Sequence, residues 1–150
     1  MKRSKPLQRR TPLKPGKPLK SFRKKRRPGN RAMTATEGAI VSTAKQTLCV
    51  ACLVWAEAGN MPMEDVAVCC DWNHTKSGNI RRGHDKGFAG CLWHHRGRVE
   101  LDGWTIRRTR NHFGPSLMDG SRLFHATYGS DDYLIGRQRE LLGLPPTQAA

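Results

Sequence analysis

Cys49-Val-Ala-Cys52 and Cys91-Leu-Trp-His94 each set two metal-binding side chains three positions apart. That spacing forms a knuckle whose backbone turn aims both side chains at one ion. Two knuckles complete a tetrahedral Cys3His set of the kind structural zinc takes. The 38 residues between them leave room for a folded ββ excursion. Cys69 and Cys70 are adjacent on an apolar run and would face opposite sides of a strand. Either could replace His94 as fourth ligand, and a small helix rotation could exchange His94 for His95. No stretch reads as a secretion signal, so the five cysteines are expected in a reducing cytoplasm, where ligation is favoured over disulfide bonding.

A zinc staple leaves Asn73-His74, His84 and His95 without a purpose. His95 lies about 100° around a helix from His94 and so points elsewhere. Phosphodiester hydrolysis would use such residues. It needs a base to deprotonate water, a divalent ion to neutralise charge on the phosphate and leaving oxygen, and a means of holding the base. A histidine at a strand end, a loop, and a histidine at a helix start is how a ββα-metal finger assembles those parts. His84 sits among Arg81, Arg82 and Lys86, where touching a phosphate is as natural as ligating an ion. His112 and His125 read as structural, and Trp72 and Trp93 as core walls flanking the site.

The elements that must hold these residues follow from local signals. Thr34-Ala35-Thr36-Glu37 is a capping box opening a helix to about Gln46. Leu53 to Ala58 predicts a short helix, and Val66 to Cys70 a strand that delivers Asp71-Trp72-Asn73-His74 at its end. Residues 75–90 read as a loop excursion, and Gly103 to Arg108 as a second strand. Helices are expected over 119–128 and 131–142, the second capped by Asp131 and followed by Gly143.

Charge divides the chain. The formal net charge is +15, yet residues 1–36 hold 14 basic side chains and no acid, while the remaining 114 carry 13 basic and 12 acidic ones. Prolines at 6, 12, 15, 18 and 28 and scarce apolar surface predict a disordered tail over residues 1–33. With Lys24, Lys25, Arg26 and Arg27 at its densest point, the tail suits tethering to DNA, and Arg81, Arg82 and Lys86 extend that surface onto the body. No apolar run approaches a transmembrane span, so a membrane partner is not expected.

Asn73-His74, Gly83-His84-Asp85-Lys86, Cys91-x-x-His94-His95 and Phe124-His125-Ala-Thr-Tyr128-Gly129 occur in an order that resembles the HNH, or ββα-metal, superfamily. More narrowly they resemble the RecA-dependent recombination-enhancement nucleases, the Ref family of phages, over roughly residues 47 to 143. The resemblance implies an α+β fold: a small zinc-stabilised HNH-like ββα-metal domain over residues 34–150, preceded by the tail. It implies His74 as general base, and His95 as ligand of a catalytic Mg2+ or Mn2+. His84 becomes a second ligand or phosphate contact, and Asp71 a compensating ligand. Asn73 stands where such proteins more often have Asp or His, and an amide binds a hard cation more weakly than a carboxylate. The implied function is DNA cleavage at RecA-bound DNA or displacement loops, by a phage- or prophage-encoded monomer in a bacterial cytoplasm. The alternative is a zinc-stabilised DNA-binding module without catalysis.

Overall fold

The computed structural model describes residues 31–146. The expected tail disorder over residues 1–30 and the contacts Lys24, Lys25, Arg26 and Arg27 lie outside the described residues, whereas residues 31–33, assigned to the same tail, are described and Arg31 contacts Glu37. Helix α1 (Ala35–Lys45) starts at the predicted capping box. Thr34 Oγ1 accepts from the Glu37 N–H at 3.2 Å, and the Glu37 carboxylate accepts from the Thr34 N–H at 2.9 Å. Two donors that a helix start would leave orphaned are thereby satisfied. Helix α2 (Val50–Glu57) follows, with Val50, Ala51, Cys52, Leu53 and Ala56 all buried.

The strand expected over Val66 to Cys70 does not form. Val68 is 58% exposed, and Cys69 takes a left-handed φ of 57°, which an extended strand does not pass through. The segment instead straps the junction of α1 and α2. The Ala67 carbonyl accepts from the Cys49 N–H, and the Cys70 N–H donates to the Lys45 carbonyl, both at 2.7 Å.

Pairing starts one residue later. Strand β1 (Asp71–His74) runs antiparallel to β4 (Gly87–Gly90), with Asp71 opposite Gly90 and His74 opposite Gly87. Gly87 has to be glycine, since a Cβ there would lie 2.3 Å from the Asn73 carbonyl and 2.8 Å from the Trp72 indole. Part of the excursion between these strands is ordered as a hairpin, β2 (Lys76–Ser77) and β3 (Ile80–Arg81), around Gly78-Asn79. Only Cys91 separates β4 from helix α3 (Leu92–Arg96).

The second expected strand, Gly103 to Arg108, is also replaced. Thr105 caps helix α4 (Ile106–Phe113), its hydroxyl accepting from the Arg108 N–H at 3.2 Å. The run Trp104-Thr105-Ile106 has β-forming residues, but the Thr cap decides its conformation. Helices α5 (Ser121–Tyr128) and α6 (Asp131–Leu141) lie where helices are expected. The cap of α6 is Ser130 rather than Asp131, its Oγ accepting from the Tyr133 N–H at 3.3 Å.

Helices α2, α5 and α6 enclose β4, and Phe88 stacks on Phe124 at 6.3 Å between ring centroids. Gln138 is 1% exposed and binds the free edge of β4, its Oε1 accepting from the Ala89 N–H at 2.7 Å. A side chain thus completes hydrogen bonding that a third strand would otherwise supply. The result is a mixed helical fold with a small sheet. No single helix among the described residues is long and apolar enough to cross a membrane.

Candidate metal centre and histidine cluster

Both knuckles are built at helix N-termini. Cys49 caps α2 and Cys91 caps α3, and each Sγ accepts a 3.5 Å hydrogen bond from the N–H three residues on, that of Cys52 or His94. The two-residue spacer is therefore the distance from a helix cap to its third residue, and the helix end favours negative charge on the sulfur. The ligand atoms of Cys49, Cys52, Cys91 and His94 lie within 4.8 Å of one another, and all four residues are buried. His94 Nδ1 is 3.4 Å from Cys49 Sγ and 3.3 Å from both Cys52 Sγ and Cys91 Sγ. Cys52 and Cys91 Sγ are 3.9 Å apart. A zinc tetrahedron with Zn–S bonds of about 2.3 Å has edges of about 3.8 Å, so the set fits zinc.

The surrounding groups select the ligand atom. His94 Nε2 lies 2.9 Å from the Phe113 carbonyl and 3.0 Å from the Tyr128 hydroxyl, which itself donates to the same carbonyl at 2.8 Å. A carbonyl can only accept, so Nε2 carries the proton and Nδ1 faces the sulfurs with its lone pair. Gly114 makes room for this arrangement, since a Cβ there would lie 2.3 Å from the Tyr128 hydroxyl.

Electrostatics point the same way. Burial pushes the Cys49 thiol up, but hydrogen bonds with Cys52, Cys70 and Cys91 outweigh it and hold the thiol well below its usual range. Cys52 is driven far upward by Cys49 and Cys91. Sulfurs packed this closely cannot all ionise together, and a divalent cation removes that conflict. His94 is thus the fourth member. Cys70 flanks the set, hydrogen-bonded to Cys49, and Cys69 is exposed.

Three further histidines, His74, His84 and His95, lie along the β1–β4 ribbon. His74 and His84 meet edge to face at 5.8 Å between ring centroids. At the other end, His95 Nδ1 is 3.6 Å from Asp71 Oδ2, and Arg96 reaches the same carboxylate oxygen at 2.9 Å. His84 therefore lies with His74 rather than with Asp71 and His95. Among the described residues only the Cys3His set gathers three or more ligand atoms within 4.8 Å. Asn73 shares a strand face with Asp71, and His74 shares the other with Trp72.

The Nδ1 atoms of His74, His84 and His95 are buried and have no hydrogen-bond partner among the described residues. For His84 the cause is visible. Its Nε2–H donates to the Arg31 carbonyl at 2.7 Å, and that hold turns Nδ1 away from any other partner among the described residues. Arg31 is itself clasped by Glu37 through contacts of 2.7 and 2.5 Å. The Arg31 guanidinium, with the Thr34 N–H, lowers the Glu37 carboxyl from 4.5 to about 2. The His74 imidazole is held below its ordinary value, first by burial and then by the positive charge of Arg81 and by His84. The lowered value favours the neutral ring near pH 7.

Arg81 is exposed beside His74, whereas Arg82 pairs with Asp132 at 2.6 Å and Lys86 sits 4.0 Å from Asp85. Trp72 and Trp93 are 7% and 5% exposed and form walls of the core, as expected. His112 and His125 pair with Asp65 and Asp131 at 2.8 and 3.1 Å. Arg31 and Phe113 were not legible as site-supporting residues, because both act through backbone carbonyls that no residue type announces.

The fold is mixed helical with a small sheet, and a buried Cys3His set that could hold a metal ion lies next to a ribbon carrying three imidazoles whose Nδ1 atoms lack a hydrogen-bond partner among the described residues. The chain belongs to the family described as recombination enhancement, RecA-dependent nuclease, which matches residues 33–143. That match takes in every described helix and strand. Neither a curated protein nor a solved structure matches the chain.

Proposed function

We propose that the chain is an HNH-type DNA endonuclease in which His74 activates water and His95 holds a divalent ion. The observation that carries this reading is the β1–β4–α3 unit. It sets His74, its Nδ1 buried without a partner and its basicity lowered, on one strand, and His95 on the helix that follows the second. Burying His74 Nδ1 without a partner costs roughly 1–3 kcal/mol, which a purely structural role does not repay.

His95 Nδ1, the Asp71 carboxylate and the Asn73 amide are the donors that would hold Mg2+ or Mn2+, a hard-ion set weakened by the amide. Bound there, the ion would supply charge neutralisation at the phosphate and the leaving oxygen. His74 takes the proton of the attacking water, and its lowered basicity keeps it unprotonated for that step. Arg81, exposed beside it, contacts the phosphate. Arg31 and Glu37 hold His84 against His74. DNA is the substrate a nuclease family implies. RecA as partner, and a displacement loop as preferred DNA, rest on the family description and on the sequence resemblance.

A second reading keeps the zinc-stabilised scaffold as a DNA-binding module without cleavage, and Asn73 favours it. Cleavage of plasmid and displacement-loop DNA with Mg2+, with and without RecA and ATP, separates the two when wild type is compared with His74→Ala. Cutting that is lost in the variant supports the enzyme. Tight binding without cutting in any arm leaves the module.

A further inference from the structure

Helix α4 contributes little to the core. Of its eight residues only Thr109 is buried, while Ile106, Arg107, Arg108, Arg110 and Asn111 are exposed. At 100° per residue, Arg110, Arg107, Asn111 and Arg108 follow one another around roughly 160° of the helix surface. That stripe can donate hydrogen bonds throughout and contains no acid.

Pairing distinguishes Arg107 and Arg108 from their helix neighbour Arg110 and from several arginines elsewhere. Arg96 is bound by Asp71, Arg110 by Asp119, and Arg137 by Glu57 and Glu140. Arg107 and Arg108 have no carboxylate within 4.0 Å among the described residues, although Glu100 and Asp102 lie on the preceding loop. Arg108 instead lies over the Trp104 ring, 4.3 Å from its centroid. Stacking orders the guanidinium in advance and leaves its edge free, so less side-chain entropy is lost when an anion binds. The far end of the helix is fixed to the metal centre, because the Phe113 carbonyl accepts from His94 Nε2 at 2.9 Å. Its neighbour His95 belongs to the candidate active site, so one short helix, α3, separates the arginine stripe from that chemistry.

We propose that α4 is a second DNA-contacting surface, which holds the phosphate backbone of a duplex through Arg107 and Arg108. It is independent of the basic N-terminal arm and of Arg81. Charge complementarity selects the occupant: two unpaired guanidiniums, that of Arg108 pre-ordered by its stack on Trp104, flank an asparagine and match adjacent phosphates. At about 12 Å the helix also matches the width of the major groove whose rims carry those phosphates. The choice of DNA rests on the nuclease reading.

The test is fluorescence anisotropy of the full chain on a labelled duplex, as a function of salt. Two phosphate contacts account for about 1.8 of the slope of log affinity against log salt. R107A/R108A is expected to make the slope shallower by about that amount, with the thermal midpoint nearly unchanged. R107A alone, which leaves the Trp104 stack in place, should remove about half, and R107K/R108K should keep the wild-type slope. An unchanged slope and affinity in the alanine variants would overturn the surface, even with a wild type that cuts DNA. A wild type that never cuts, combined with the predicted slopes, would sink the nuclease reading and leave the surface standing.

Discussion

The imidazole of His84 donates its Nε2 proton to the backbone carbonyl of Arg31 across 2.7 Å. This bond ties the point where the basic arm joins the fold to the ring beside His74. It fixes the tautomer of His84, and Glu37 fixes Arg31 in turn. Local sequence, arm and candidate site are thereby coupled through four residues, Glu37, Arg31, His84 and His74.

Glu37→Gln is expected to keep α1, because glutamine also serves a capping box, but to release the Arg31 clasp. Cleavage should fall several-fold while the helix content measured by circular dichroism holds. The folded value of Glu37 lies below 4.5, so the stability it contributes is present above 4.5 and is lost as pH falls toward about 2. Wild type and Glu37→Gln should therefore differ in urea midpoint at pH 6 and converge at the acid end. A constant difference would show that the clasp is not the source.

Removing residues 1–30 leaves Arg31 and its contacts in place. The shortened protein should melt within a few degrees of the full chain, bind DNA more weakly and show a shallower salt slope. Cooperative melting lost on this truncation would contradict the division between arm and body.

Cys52→Ser should abolish stoichiometric zinc and lower stability by several kcal/mol, since structural zinc binding is folding energy. Tyr128→Phe is gentler. It removes one of two groups around His94 Nε2, so zinc should remain but its affinity should drop about tenfold. Elemental analysis and chelator competition read both effects, and unchanged zinc in Cys52→Ser would exclude the Cys3His assignment.

Gln138→Leu leaves the buried Ala89 N–H without an acceptor, which costs about 1–3 kcal/mol. Hydrogen exchange at Ala89 should accelerate more than exchange in α1. Equal acceleration everywhere would mean that Gln138 acts through packing alone.

Much of the site could be read in the sequence, because its signals are local. A helix cap and its third residue define each knuckle, and the Thr34–Glu37 box is complete within four residues. Errors fell where an apolar or β-branched run lacked alternation. Val66 to Cys70 looked like a strand, yet it is a strap whose hydrogen bonds go to α1 and to the start of α2. Trp104 to Ile106 looked β-forming, yet Thr105 caps a helix. The support of His94 by Phe113 and Tyr128, of β4 by Gln138 and of His84 by Arg31 joins positions 15 or more residues apart. Tertiary packing alone brings these together.

His74 is held below its ordinary value, so the neutral base prevails at and above pH 6.5. The most direct measurement is the initial rate of Mg2+-dependent displacement-loop cleavage in the presence of RecA, from pH 5 to 8, for wild type and His74→Ala. With His74 as the base, the rate is level above about pH 6.5 and declines only below it, and the variant loses about 100-fold or more. Equal rates for the two proteins, or a wild-type rate still climbing steadily through pH 7 to 8, would contradict His74 as the base.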